Sequence, residues 1–187
     1  MTHCWKNIPS VFRGVGKLKG FQAKLHIDES VKPIAQKLRP PPFGLRDKIE
    51  QELEKLVKSD IIEPVEGPTP WVSPVVVVPM PSGDVRLCVN MRKANEAVVR
   101  ERHPITTVDD ILYQLKGSRV FSKLDLKWGF HQIELEQQSR TITTLITHKG
   151  LYRYKRLMVG ISSAPELYQL VYYSASAGRL RGCLQHP

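Results

Sequence analysis

The sequence lacks the features that mark several common classes of protein. Its three cysteines lie far apart, no Cys-x-x-Cys pair occurs, and the six histidines do not have the spacing of a zinc site. The longest purely apolar run is Val75 to Val78, and the first residues contain no apolar stretch typical of a signal peptide. We therefore expect reduced thiols, no membrane attachment and an intracellular, cytoplasmic protein, with the nucleus as an alternative location.

Acidic residues are scarce, and the common nucleotide-binding loops are missing. Neither a P-loop nor a G-x-G-x-x-G turn occurs, which argues against a Walker or Rossmann site. Lys and Arg number 28 against 18 Asp and Glu, so the formal net charge is +10. This excess favours a polyanionic partner, and the missing membrane span favours nucleic acid over an anionic membrane. An ordinary basic soluble domain is the alternative.

The apolar pattern predicts a mixed α+β order with mostly antiparallel strands. Apolar residues at helical spacing from Leu45 onwards predict a surface helix, and alternation over Val85 to Asn90 predicts a strand that pairs with a buried strand at Val75 to Val78. Capping signals at Thr107 and Ser163 predict two further helices, the second of which runs to about Ser176. Further strands are predicted at Gln132 to Leu135, Thr141 to Thr147 and Leu151 to Met158.

Asp125 is the acidic residue that we expect to carry chemistry. It lies near the end of a predicted strand, Val120 to Leu126, and a predicted bend at Trp128-Gly129 follows. A carboxylate in this position can bind Mg²⁺, which prefers hard oxygen ligands. Spacing alone fits a turn-capping aspartate better, so the metal role depends on context.

Several basic and aromatic residues are candidates for contacts with nucleic acid. Arg86 lies on the polar face of a predicted strand, where its guanidinium could hold phosphate oxygens, although a solvated face is the simpler interpretation. Trp128 and Phe130 could stack on a base or sugar, although such residues more often belong to a core. Four more residues could contact a phosphate backbone or form an ordinary wet surface: Arg92, Lys93, Arg100 and Arg102.

The run FSKLDLKWGFHQI, from Phe121 to Ile133, resembles the first catalytic motif of reverse transcriptases from gypsy-type long-terminal-repeat retrotransposons. Several motifs in register over roughly residues 20–169 argue against a chance match. The other segments that keep the order of that family are Ile61 to Pro64, Trp71 to Pro74, Val85 to Val89, Met91 to Asn95, Gly150 to Leu157 and Gly160 to Pro165.

The resemblance implies an α+β fold, namely the fingers and part of the palm of a right-hand polymerase, with a mostly antiparallel sheet and packed helices. The implied activity is that of an RNA-directed DNA polymerase, with an RNA or DNA template–primer and dNTP as partners. The implied regions are an N-terminal extended segment (1–44), a fingers-like region (45–118), a partial palm with the first catalytic motif (119–169) and a divergent C-terminal tail (170–187).

By position, the resemblance also implies roles for individual residues. Asp125 would be a catalytic ligand of Mg²⁺ or Mn²⁺ in a two-metal phosphoryl transfer. The basic fingers and palm, including Arg92, Lys93, Arg100 and Arg102, would contact template–primer phosphates. The implied nucleotide-binding residues are Arg86 at the triphosphate, Leu126 through its backbone near the metal, Phe130 beneath the sugar where it rejects a 2′-hydroxyl, and Val159 and Gly160 in the nucleotide pocket.

Three positions depart from the pattern of the family. Met80 stands where a lysine is usual, which would remove a charge from the grip on the triphosphate. Asn90 stands where an aspartate is usual, so it can form hydrogen bonds but cannot anchor a cation. Val159 stands where an aromatic residue is usual.

The Tyr-x-Asp-Asp turn of the family, which supplies the remaining metal carboxylates, is absent. No acidic residue follows Glu166, and the likeness is expected to fade after Gln169, as if coding sequence had been cut or joined to something else. Two metal ions need several carboxylates to offset their repulsion, so we expect the chain to be inactive alone and to need a missing C-terminal half or a partner chain. Two alternatives stay open: a non-catalytic nucleic-acid-binding module, or a protein-interaction segment that uses an exposed palm edge.

Overall fold

The helices and strands of the chain follow the predicted α+β order. The computed structural model describes residues 14–100, 107–120 and 125–179. Within these ranges, no helix is long and apolar enough to cross a membrane. The elements are β1 (Gln22–Ala23), α1 (Arg46–Lys58), β2 (Ile62–Val65), β3 (Ser73–Pro79), β4 (Val85–Val89), α2 (Val108–Gln114), β5 (Glu134–Leu135), β6 (Leu145–Thr147), β7 (Gly150–Tyr154) and α3 (Ala164–Arg179).

A five-stranded sheet in the order β2-β7-β6-β3-β4 is the framework of the fold. Its pairs are antiparallel except for β3 with β6, which is parallel. The short strands β1 and β5 form a separate parallel pair. The predicted class, α+β with a mostly antiparallel sheet and packed helices, is therefore confirmed.

The hairpin β3–β4 projects from this sheet. Val75 lies opposite Val89 and Val78 opposite Arg86, and the turn closes with a 2.9 Å hydrogen bond from the Met80 amide to the Asp84 carbonyl. The predicted hairpin is confirmed, but the prediction that all of Val75 to Val78 is buried is wrong. Val78 is 43% exposed, because β3 pairs with β6 only at its first two residues and the rest of the hairpin extends past the sheet.

The predicted helices form, and their caps explain where they begin. α1 buries Ile49, Leu53 and Leu56 at helical spacing, as the apolar pattern indicates. At α2, the Asp110 amide donates to the Thr107 hydroxyl over 3.2 Å, and the Thr107 amide donates to the Asp110 carboxylate over 2.9 Å. This reciprocal arrangement is a capping box.

Two strand predictions in the second half are not met. Residues 141–143 belong to a 3₁₀ helix, Gln137–Thr143, because the Thr143 and Thr144 hydroxyls donate to the Arg140 and Thr141 carbonyls over 2.6 and 2.7 Å. Such side-chain bonds compete with a strand ladder. Val120, Asp125 and Leu126 lie outside any strand, and residues 121–124 lie outside the described residues.

One hydrophobic core joins the predicted regions. It contains Ala23 from the N-terminal segment, Leu53 from the fingers-like region, and Leu135 and Val171 from the second half. The predicted boundary between residues 169 and 170 falls inside α3, which continues to Arg179. The regions therefore share a core and do not fold as separate bodies.

Candidate active-site cleft

A cleft of about 530 Å³ lies beside β4, between α1 and the segment that follows Asp125. Four of the predicted nucleotide-binding residues line it: Arg86, Phe130, Val159 and Gly160. Met80 lies at the hairpin end, so an apolar side chain stands where the family pattern has a cation. Elements far apart in sequence thus bring these residues to one surface.

Asp125 and Leu126 precede the cleft wall and are exposed. The hydroxyl of Tyr168 has a raised pKa because the ring is partly buried, and the negative charge of Asp125 raises it further. Among the described residues, no group of three or more His, Cys, Asp or Glu side chains could hold a metal ion. One carboxylate does not fit a paired metal centre, so the donor set of these residues is insufficient for that group.

A tight turn follows Asp125 and leads into the cleft. Trp128 adopts the left-handed backbone conformation, with φ 57° and ψ 39°, and a 3₁₀ helix covers Gly129–Gln132. The predicted bend is present, and Trp128 is its residue with the left-handed backbone conformation. Gly129 has a different role, because it packs against Tyr168. A Cβ on Gly129 would lie 2.6 Å from the Tyr168 hydroxyl oxygen, closer than real contacts allow.

Two tyrosines of α3 hold this turn, and sequence reasoning did not select them. The Tyr168 ring lies 4.9 Å from the Phe130 ring and 4.4 Å from the Tyr172 ring. The Tyr172 hydroxyl donates to the Gln132 side chain over 3.0 Å, and burial raises the pKa of Tyr172 to about 12. The i,i+4 spacing of the tyrosines on a predicted helix was the available signal.

His131 is a second residue that sequence reasoning passed over. Its Nδ1 lies 3.1 Å from the Leu157 carbonyl, and its ring stacks on Tyr154 at 5.9 Å between centroids. Burial lowers the pKa of the imidazole, so the neutral form is favoured at pH 7. A neutral ring that donates through Nδ1 ties the turn to the segment that follows β7, at Leu157.

Gly160 lines the cleft with a backbone conformation that favours glycine. Its φ is 109°, and an added Cβ would make only ordinary contact, 3.7 Å from the Val89 carbonyl oxygen. Asn95 fixes the loop, because its amide nitrogen donates to the Gly160 carbonyl over 2.8 Å and its side-chain oxygen accepts from the Ser162 amide over 3.0 Å. Glycine is needed here for its backbone conformation.

The predicted backbone-binding cations lie in different surroundings. Arg92 is exposed, Lys93 pairs with Glu96 over 2.9 Å, and Arg100 pairs with the buried Glu166 at the start of α3. Arg102 lies outside the described residues. Arg92, Lys93 and Arg100 do not line the cleft, and the contact of all four cations with nucleic acid stays a prediction.

Comparison with known proteins agrees with this arrangement. The family described as "Reverse transcriptase (RNA-dependent DNA polymerase)" matches residues 78–182, so the match continues past residue 169. The chain is 36% identical over 170 residues to the retrovirus-related Pol polyprotein from transposon 412 of Drosophila melanogaster, covering 88% of this chain and 13% of that protein. It is 32% identical over 143 residues to the Pol polyprotein from transposon gypsy of the same organism, covering 73% of this chain and 14% of that protein.

Solved structures share the fold. Prototype foamy virus protease–reverse transcriptase superposes with a TM-score of 0.74 at 22% identity, covering 88% of this chain and 22% of that one. The foamy viral enzyme in complex with an RNA/DNA hybrid superposes with a TM-score of 0.69 at 19% identity, with the same coverage. This chain therefore spans less than a quarter of these relatives.

Proposed function

Because this chain belongs to the reverse transcriptase (RNA-dependent DNA polymerase) family, we propose that it forms the fingers and the first part of the palm of an RNA-directed DNA polymerase. In this role it binds an RNA or DNA template–primer and holds a dNTP in the cleft beside β4. Family membership implies that the complete enzyme uses a divalent metal ion. The chain is similar to segments of retrotransposon Pol polyproteins.

One observation carries the proposal: Arg86, Phe130, Val159 and Gly160 line one cleft although three separate segments supply them. Arg86 is exposed and has no acidic partner among the described residues, so its guanidinium is available for phosphate oxygens. The Phe130 ring lies 4.9 Å from the Tyr168 ring, and this contact supports its proposed role as the wall against a 2′-hydroxyl. Gly160 leaves room for a sugar or base against the backbone.

We further propose that these 187 residues alone do not transfer nucleotides. Asp125 would be a ligand of Mg²⁺ or Mn²⁺, and the metal would neutralise charge on the phosphates when bound. Among the described residues, no group of three or more His, Cys, Asp or Glu side chains is placed to hold a metal ion there. A partner segment that supplies carboxylates would complete the site.

A titration of a fluorescent template–primer measures the binding part of the proposal. At 50 mM NaCl we expect binding that weakens about 100-fold by 200 mM NaCl, which corresponds to about four phosphate contacts.

Arg86→Gln should weaken dNTP retention on the template–primer complex by about 10-fold, since a charged hydrogen bond contributes about 1.5 kcal/mol. Lys58→Gln, a change of an exposed cation at the end of α1, is the matched control and should leave retention unchanged.

A primer-extension assay measures the catalytic part. With Mg²⁺ or Mn²⁺ present we expect no incorporation by the purified chain. Metal-dependent incorporation that Asp125→Ala abolishes would contradict the proposed inactivity while supporting the assigned cleft. Equal dNTP retention by the wild type and Arg86→Gln would contradict the cleft assignment.

A non-catalytic nucleic-acid-binding module is the second candidate function. Met80 and Asn90 favour it, because each replaces a charged residue of the family pattern with a neutral one. In this case the chain binds template–primer with the same salt dependence but shows no preference for the dNTP that matches the template.

A further inference from the structure

The charged groups of the cleft balance each other, although the chain as a whole is strongly basic. The formal net charge of the chain is +10. Among the described residues that line the cleft, Arg86 of β4 is the permanent cation and Glu52 of α1 is the carboxylate. His131 also lines it, and its buried ring favours the neutral form. A cleft concentrates an anionic ligand when its walls carry one sign of charge, and these walls do not.

The hairpin side of the cleft presents apolar groups next to Arg86. Val78 lies opposite Arg86 in the hairpin and is 43% exposed, and Met80 lines the cleft at the hairpin turn and is 45% exposed. Lys48 reaches this turn from α1, but its ammonium group donates to the Gly83 carbonyl over 2.6 Å and does not line the cleft. A chain of phosphates that extends from Arg86 towards the turn therefore meets methyl and thioether groups.

Glu52 places a negative charge on the α1 side of the cleft. Its side chain is 21% exposed, and a carboxylate oxygen lies 3.3 Å from the Lys55 ammonium nitrogen. The Lys55 side chain is 60% exposed to water, so it offsets the charge of Glu52 only in part. Every phosphate added to a ligand adds negative charge, which Glu52 repels.

The remaining walls suit the sugar and the base of a ligand. Trp128 is 42% exposed and Val159 is 56% exposed, although both line a concave surface. The ring of Phe130 lines the same cleft. A ligand that covers these apolar side chains removes them from water, and this gain does not depend on how many phosphates the ligand carries.

We propose that the cleft binds a nucleotide through one phosphate, its sugar and its base, so that deoxynucleoside monophosphates and triphosphates bind with similar affinity when no divalent ion is present. Arg86 holds one phosphate, whereas Met80 and Glu52 give no favourable contact to additional phosphates. The inference rests on the proposed function, because it concerns the ligand of the same cleft. It widens the ligand class from dNTP to nucleotides of any phosphate number.

Protection of Cys88 from alkylation measures occupancy of the cleft, because this half-buried free thiol lines the cleft on the same strand as Arg86. The full chain is treated with iodoacetamide in EDTA at about 150 mM NaCl, where charges more than about 8 Å away are screened. The titrations are run with and without a template–primer whose next template base is adenine. Peptide mass spectrometry reads Cys88, and Cys4 and Cys183 report any loss of reagent.

Three ligands separate the contributions of the phosphates. We expect dTMP and dTTP to half-protect Cys88 at concentrations within about 3-fold of each other, because Arg86 offers one phosphate contact to both. Thymidine should need a concentration about 10-fold higher, because it lacks the group that Arg86 holds. In Arg86→Gln, dTMP should protect no better than thymidine does.

Met80→Lys should create the missing contact with the outer phosphates. The half-protecting concentration of dTTP should fall about 10-fold, whereas that of dTMP should change less than about 3-fold, because a charged hydrogen bond forms only with the longer ligand. Glu52→Gln should shift the ratio of the two concentrations in the same direction. Met80→Leu is the matched control, because it keeps an apolar side chain of similar size, and it should leave both concentrations unchanged.

Each outcome decides between the inference and the proposed function. If dTTP protects the wild-type chain at a concentration about 10-fold or more below that of dTMP, the inference is wrong and the proposed function stands. Equal behaviour of Met80→Lys and Met80→Leu would also overturn the inference. If thymidine, dTMP and dTTP all fail to protect Cys88 with and without template–primer, the assignment of the cleft to a nucleotide is wrong, and the inference falls with it.

Discussion

At the scale of single residues, Gly129 is the position where α3 meets the turn after Asp125. Gly129→Ala should lower the free energy of unfolding by about 1 to 3 kcal/mol, because the new Cβ would lie 2.6 Å from the Tyr168 hydroxyl oxygen. Denaturant unfolding monitored by circular dichroism measures this change. Tyr168→Phe in the same chain should recover part of the loss, since it removes the nearest atom. An unchanged stability of Gly129→Ala would contradict the steric conflict between residue 129 and Tyr168.

The pH dependence of stability should report on His131. Burial lowers the pKa of its imidazole in the folded state, so below about pH 6.5 the unfolded chain binds a proton that the folded chain resists. Stability from this group is therefore present above that pH and is lost as the pH falls. Thermal unfolding between pH 5 and pH 8 should show the decrease, and His131→Gln should flatten it. If His131→Gln loses stability to the same extent as the pH falls, then groups other than His131 cause the loss.

The residues of the cleft were predictable in part from the sequence. Phe130 and Gly160, which line the cleft, and Asp125, which precedes it, follow from motif positions, because each lies in a recognisable local pattern. Tyr168 and His131 were missed, since their roles depend on contacts with residues 23 or more positions away. No local period encodes such a contact.

At the scale of secondary-structure elements, Arg140 joins three of them. Its side chain is 9% exposed and lies 3.3 Å from Glu134 of β5 and 3.7 Å from Glu63 of β2. Arg140→Leu should lower the free energy of unfolding by about 1 to 3 kcal/mol, because the Leu135 carbonyl loses its donor and two carboxylates, which keep Lys17 and Arg153, each lose one partner. Lys93→Ala, at the exposed pair with Glu96, is the control and should change stability little. Equal stability of Arg140→Leu and the wild type would contradict a structural role for the ion pairs of Arg140.

Helices and the β3–β4 hairpin were predicted better than the remaining strands. α1 and α2 carry complete local signals, namely an apolar stripe and a capping box. The segment at residues 141–143 also has strand-like composition, but hydroxyl bonds to nearby carbonyls turn it into a 3₁₀ helix. The parallel pairing of β3 with β6 could not be read from the sequence, because about 70 residues separate the strands.

At the scale of the whole molecule, an exposed apolar patch on and after α2 predicts self-association. Leu112 is 60% exposed and Val120 is 87% exposed. Large apolar side chains that are exposed at nearby positions of the chain promote association. Sedimentation velocity should show species larger than a monomer as concentration rises, and Leu112→Lys with Val120→Lys should shift the chain to monomer. Val99→Lys, at a site that is 48% exposed elsewhere, is the control. If the wild-type chain stays monomeric as its concentration rises, the prediction of self-association through Leu112 and Val120 is wrong.

The order of strands in the sheet has a consequence for synthesis on the ribosome. In the part of the chain that the structure describes, β2 has β7 as its one sheet neighbour, so Ile62 cannot pair until Tyr154 has been synthesised. At 5 to 20 residues per second, translation of the intervening stretch lasts about 5 to 20 s. During that interval the nascent polypeptide presents an unpaired β-edge to chaperones and to neighbouring chains on the same message.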